Sequence, residues 1–336
     1  MRSYGAATAS PEVFPFAVQR TVTVGNVTPV GDLDSPGSRS KTRQVLPRTH
    51  WQRHVAGLDP EVDFEEVYRI VLAHEFPWDM HQALSFALFR TYAVPSIARL
   101  LAETGELEHA TQRRYDDTAL LLDEPARHGL RSDAGRRAIR RINAMHRSYD
   151  ISPDDMRYVL ATFVVIPRRW LSSFGWRPLS AVEVRASVRY YQELGRLMGI
   201  PDVPDTYQDF ERLLDRYETD HFASCEEGRR VADATMALLQ SFYPRWTRRA
   251  TELFSRTLMD DHLLDAFGYR HPPRWVTRAA HASLRGRARL EALLPARQRP
   301  LHTADLPRIR SYPDGYQVDR LGTFPHGCPV PRRPPA

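Results

Sequence analysis

Residues 140–149 read Arg-Arg-Ile-Asn-Ala-Met-His-Arg-Ser-Tyr, and the spacing inside this stretch decides the fold class. Ile139, Ile142, Met145, His146 and Tyr149 recur at three- and four-residue steps, which puts them on one face of an α-helix. Arg136, Arg137, Arg140, Arg141 and Arg147 fall mostly on the other side, where water can solvate them. One imidazole is thereby carried inward among groups that offer it few hydrogen bonds. A buried neutral imidazole needs a polar partner or a metal ion.

The same helical period extends through most of the chain. From about residue 60 one amphipathic segment follows another, and the spacing predicts helices over 60–75, 79–91, 95–103, 106–122 and 133–149. Ser152-Pro153-Asp154-Asp155 caps a strongly apolar helix that Pro167 is expected to kink and Gly175 to end. Ser180 and Glu183 form a capping-box pattern for a helix running to Met198. Further helices are read over 206–221, 226–242, 247–267 and 273–294. No βα alternation and no glycine-rich phosphate loop interrupts them, so the expected fold is mostly α. Residues 1–54 read as an N-terminal arm with a short strand-like piece at 19–24. Residues 55–295 read as one helical domain, and the proline-rich 296–336 as an extended wrapping segment.

Composition excludes several function classes. With 42% hydrophobic and 26% charged residues, the 336-residue chain has the make-up of an ordinary globular protein. Its net charge of +6 is carried almost wholly by arginine, since Lys41 is the single lysine. A cationic surface favours acidic partners, but charge alone does not signal nucleic acid, and no nucleic-acid partner is expected. Cys225 and Cys328 are too few for a disulfide framework or a thiolate metal cluster. The N-terminus lacks a signal-peptide core, and the most apolar run, 158–166, is far shorter than the ~20 residues that span a bilayer. A cytoplasmic protein is expected, with peripheral membrane contact left open. There is no nucleophile elbow for hydrolysis.

A second constellation lies about thirty residues before His146. Arg114, Thr118 and Leu121 share a helix face at i, i+4 and i+7. An arginine and a threonine inside one helical stripe each bring donors that must be satisfied. Two helices crossing face to face, one with His146 and one with Arg114 and Thr118, can hold a flat cofactor with polar edges. Haem fits: its iron takes an imidazole, its faces want apolar walls, and its propionates want arginine. A packed histidine with one backbone partner, an ordinary salt bridge and a threonine bonded back to its own helix account for the same residues. Ile142, Met145 and Tyr149 are then either cofactor walls or plain core.

The order and spacing of Arg114, Thr118 and Ile-Asn-Ala-Met-His (142–146), then Ala-Thr-Phe-Val-Val-Ile-Pro-Arg-Arg-Trp-Leu-Ser-Ser-Phe-Gly (161–175) and Tyr-Tyr-Gln-Glu-Leu-Gly-Arg-Leu-Met-Gly-Ile-Pro (190–201), resemble the MpaB-type oxygenases, a family that includes the latex-clearing rubber oxygenases. The likeness runs from about residue 66 to 294. It implies a helical haem b protein with a globin-like core that uses dioxygen to oxidise a hydrophobic small molecule, in the better-known members by cleaving C=C bonds of isoprenoid chains. By the same resemblance His146 is the iron ligand, and Arg114 and Thr118 are the family's paired arginine and threonine. The rubber oxygenases carry a lysine just before that threonine, where this chain has Asp117, here a candidate acid–base group or a helix-surface carboxylate. The family's catalytic glutamate falls in the neighbourhood of Glu103, Glu106 and Glu108.

Two other readings come from the residues themselves. Glu106/His109 and Glu218/His221 are both ExxH pairs, the motif that supplies half the ligands of di-iron sites in helix bundles. Arg136, Arg137, Arg140 and Arg141 can alternatively form the contact stripe of a non-catalytic helical module for an acidic partner.

Overall fold

The computed structural model describes residues 45–323; the strand-like piece read at 19–24 lies outside them. The described residues are helical and contain no β-strand. In chain order the helices are α1 (His50–Val55), α2 (Phe64–Ile70), which runs into a π-helical stretch at Val71–Glu75, α3 (Pro77–Thr91), α4 (Pro95–Thr104), α5 (Glu106–His109), α6 (Thr111–His128) and α7 (Asp133–His146). There follow α8 (Pro153–Phe174), α9 (Ala181–Leu197), α10 (Tyr207–His221), α11 (Glu226–Ser241), α12 (Arg248–Thr257), α13 (Asp261–Ala266) and α14 (Arg274–Ala292). No helix among the described residues is long and apolar enough to cross a membrane.

The apolar α8 is the central element. α3 lies along it, α9 and α10 flank it, and α14 touches it from outside. Ala83 and Ala87 of α3 and Ala161 of α8 are completely buried, and such small residues let helix axes approach closely. Around them Phe76, Met80, Tyr158, Leu171, Phe210 and Leu214 fill one continuous core. Buried charges in it are paired. Arg90 grips Glu218, which also accepts from the Tyr158 hydroxyl at 3.2 Å. Arg177 bridges Glu75 and Glu183 at 2.8 and 2.7 Å.

Helix boundaries follow local chemistry where that chemistry is complete. The Ser152 side chain caps α8, and Ser180 with Glu183 closes the capping box of α9. α8 continues through Pro167 as one helix and ends at Gly175. Elsewhere the periodicity ran too far. The helix read over 106–122 breaks at Ala110, whose φ of −139° leaves the helical region, and its second part continues past Pro125 to His128. The helix read over 247–267 is two, because the Asp260 side chain accepts from Leu263 N–H and starts α13 afresh.

α6 carries four buried acids, Asp116, Asp117, Asp123 and Glu124, which no neighbouring helix neutralises by itself. Residues 303–323 lie over them and supply the donors. Backbone N–H groups of Arg310 and Ser311 donate to Asp116 Oδ2 at 3.0 and 2.9 Å, and Thr303 Oγ1 donates to Asp123 at 2.9 Å. The Tyr312 hydroxyl donates to Asp117, and the Tyr316 hydroxyl to Glu124 at 2.6 Å. Leu321, completely buried, packs with Leu120, Leu121, Ala138 and Ile142 between α6 and α7. Arg141 donates to the carbonyls of Leu321 and Thr323, both at 2.7 Å. It therefore does not belong to the solvated arginine row read from the sequence: it fastens the tail to α7. Replacing Tyr312 and Tyr316 by Phe leaves two buried carboxylates short of a donor, and each change is expected to cost about 1.5 kcal/mol in urea unfolding. Unfolding midpoints equal to the parent's would show that the tail is not held this way.

Candidate active site

α6 and α7 pack against each other and both contribute to the wall of a cavity of about 410 Å³, within the usual size of cofactor and small-molecule sites. Arg114 and Thr118 from α6, Ile142, Met145 and His146 from α7, and Tyr149 just beyond its end all line it. The remaining wall is mainly apolar, with Leu101, Leu122, Phe163, Leu194 and Met236 among its members.

His146 ends α7, and its Nδ1 is buried with no hydrogen-bond partner. That is an uncommon state for an imidazole nitrogen and a costly one. Burial, and secondarily the Arg114 cation, lowers the His146 pKa to about 4. The ring is thus neutral at pH 7, the form that ligates metals. Arg114 Nη1 donates to Thr118 Oγ1 at 2.7 Å, and Thr118 Oγ1 donates to the Arg114 carbonyl at 2.8 Å. This closed pair fixes the arginine on its own helix and leaves other guanidinium N–H groups for an anion. An apolar chamber, an orphaned neutral imidazole and a pinned cation fit what a haem group requires of its pocket: an axial nitrogen, greasy walls and a counter-charge for carboxylates.

Asp117 is placed differently from the candidate acid–base role. It does not line the cavity, because one residue along the helix turns it about 100° from Thr118. It is buried beneath the tail, bonded to the Tyr312 hydroxyl and the Gly322 backbone N–H, with Arg113 Nε at 3.9 Å. Burial pushes its pKa up, against the pull of those donors. Glu103, Glu106 and Glu108 stand outside the cavity wall as well.

The two ExxH pairs are not brought together. Glu218 is committed to Arg90, and His221 bonds the Tyr217 carbonyl at 3.0 Å and stacks on its ring. Among the described residues no three His, Cys, Asp or Glu side chains are placed to hold a metal ion. Arg136, Arg137 and Arg140 are exposed on α7.

One polar cluster on the cavity wall is absent from the sequence reading. His81 Nε2 lies 3.2 Å from Thr303 Oγ1, which bonds Asp123, while His81 Nδ1 meets the Pro77 carbonyl at 2.5 Å. The only local signal is a histidine four residues after a helix-opening proline, and the other partners lie 42 and 222 residues away.

The profile described as ER-bound oxygenase mpaB/B′/rubber oxygenase, catalytic domain, matches residues 78–290, which hold every cavity residue named above except Thr303 of the tail. The chain belongs to this family. Among mpaB/rubber oxygenase relatives, it is 31% identical over 220 residues to an ER-bound oxygenase mpaB′ of Penicillium brevicompactum, covering 60% of this chain and 52% of that protein. It is 31% identical over 213 residues to an ER-bound oxygenase mpaB of Penicillium roqueforti, covering 58% and 72%. The matched region thus spans about half the length of the first of these relatives.

In this family member a burial-driven acid sensitivity follows from His146. In the unfolded chain the imidazole takes a proton near pH 6.5, while in the folded cofactor-free protein it does so only near 4. Between those values the unfolded state binds the extra proton, so stability falls as pH drops, by on the order of 1–2 kcal/mol between pH 7 and 5. Urea unfolding of parent and His146→Phe at both pH values checks this; equal pH dependence would exclude His146 as the source.

Proposed function

We propose that the helical residues 55–295 form a haem b-dependent oxygenase domain, globin-like in its core, acting on a hydrophobic small molecule. The single observation that carries this reading is the orphaned, neutral His146 imidazole on the wall of an apolar cavity, with Arg114 pinned beside it. Membership in an oxygenase family agrees with it.

In this reading His146 would supply the nitrogen that holds the iron, and Ile142, Met145 and Tyr149 would wall the pocket beside it. Arg114 neutralises a propionate or a developing negative charge in a site from which water is excluded. Thr118 holds Arg114 in place and keeps a hydroxyl at the wall. Haem b, when bound, supplies the redox-active iron that activates dioxygen. The substrate class carried by the family resemblance is an isoprenoid-like chain. Its oxidative cleavage balances without an external reductant, since one C=C and one O=O bond are replaced by two C=O bonds.

Protein produced with haem available is expected to show a Soret band at about one haem per chain. The His146→Ala variant is expected to lose it while its far-ultraviolet circular dichroism keeps the helical signal. Arg114→Ala is expected to weaken haem retention roughly ten-fold, the size of one charge-assisted bond, with Arg113→Ala nearly neutral because Arg113 faces Asp117. An unchanged Soret band in His146→Ala would overturn the assignment.

A further inference from the structure

We infer that the outward face of α14 is a docking surface for an anionic lipid membrane. Trp275 is 73% exposed, Leu290 67% and Leu293 81%, although large apolar side chains normally turn inward. These residues are not scattered. At 100° per residue Trp275 and Leu293 share one azimuth five turns, or about 27 Å, apart, with Ala282, Gly286, Ala279 and Leu290 filling the strip between them. Apolar anchors at both ends of one line make a helix lie flat on what it meets.

Along one flank of this strip run Arg274, Arg278, Arg285 and Arg289, all exposed and without an ion pair among the described residues. The single acid of α14, Glu291, faces the other way and is held by Arg48 and Arg287 at 3.3 and 2.7 Å. No anion therefore tempers the outward face. α12, which packs on α14, carries exposed Leu253 and Arg249, and Trp246, 74% exposed, sits in the 3-10 turn Arg245–Thr247 that leads into it. Trp and Leu beside a row of cations is the chemistry of an interfacial helix. The apolar side chains enter the boundary between headgroups and acyl chains while guanidinium groups pair with phosphates.

The contrast with α7 decides the occupant. Its row of exposed Arg136, Arg137 and Arg140 has no exposed large hydrophobic residue beside it, as a purely electrostatic contact would require. On α14 the charge comes with anchors that a polyanion in water leaves unburied. This surface is independent of the proposed reaction, and its test does not use activity.

The full chain is expected to co-sediment with vesicles containing phosphatidylglycerol and not with phosphatidylcholine alone, and to release as salt rises. The Arg278→Gln, Arg285→Gln, Arg289→Gln combination is expected to weaken binding about five-fold per arginine, and Trp275→Ser with Leu293→Ser at least ten-fold. The corresponding glutamine changes at Arg136, Arg137 and Arg140 are expected to leave it unchanged. All substituted positions are exposed, so unaltered thermal melts are expected for each variant. Absence of binding to the anionic vesicles would overturn the proposal. So would loss through the α7 changes alone, or a solution dimer that Trp275→Ser dissociates, which would make the face a subunit interface. Preference for nucleic acid over vesicles would overturn it as well.

Discussion

Four carboxylates on one helix, buried by a segment that arrives 180 to 200 residues later, set the terms for everything near the cavity. Asp116, Asp117, Asp123 and Glu124 cannot be desolvated without donors, and beside Gln112 and Arg113 of α6 itself most of these come from residues 303–323. Once the tail is seated, α6 can turn its opposite side inward with Arg114 and Thr118. Thr303, Leu306, Arg308, Ile309 and Thr323 then reach past α6 to complete the cavity wall. Burial of the acids, attachment of the tail and enclosure of the chamber are thus one event. Gly322 marks its tightest point: its φ of 84° suits only glycine, and a Cβ there would meet Met145 Sδ at 2.2 Å.

Seen from the other helix, the same arrangement isolates His146. Leu321 and the Arg141 bonds hold α7 against the tail, so the helix end that carries the imidazole has little freedom to open and admit water. A buried nitrogen without a partner costs about 1–3 kcal/mol, which a fold tolerates where something else is to occupy the position. The charges of Arg90, Arg177 and Arg287 are matched to acids. The Nε atoms of Arg177 and Arg287 are buried without a partner too, so what sets the imidazole apart is its neutral form and its place on the wall of an apolar cavity.

How much of this was legible in the sequence depends on where each partner sits. That Arg114, Thr118, Ile142, Met145, His146 and Tyr149 line one cavity was legible because a shared helix face is a local property, and the cavity lies on that face. Asp117 and Arg141 were assigned to the wrong surroundings for the opposite reason. Periodicity gives a residue's direction around its helix, but not that a tail covers the side which looks solvated. His81 was invisible because Thr303 gives it meaning. Ala110 and Asp260 show the same limit at helix ends: a break hides in a good hydrophobic pattern when an ordinary alanine leaves the helix, or when an acid acts as a cap and not as a surface charge.

The arginine excess resolves along the same line. Part of it is consumed inside, where Arg90, Arg177 and Arg287 neutralise acids that the core has desolvated. Arg141 holds the tail's carbonyls, and Arg114 faces the cavity and lowers the proton affinity of His146. Of the rest, many are spread over the surface, such as Arg53, Arg99 and Arg216; three on α7 stand in water without exposed large apolar company, and four on α14 flank a strip of exposed Trp and Leu. Genome-wide preference for arginine over lysine accounts for the scattered charge. It does not explain why the outward face of α14, which carries no acid, also keeps Trp275, Leu290 and Leu293 in water. Only an environment that rewards both properties together accounts for their coincidence.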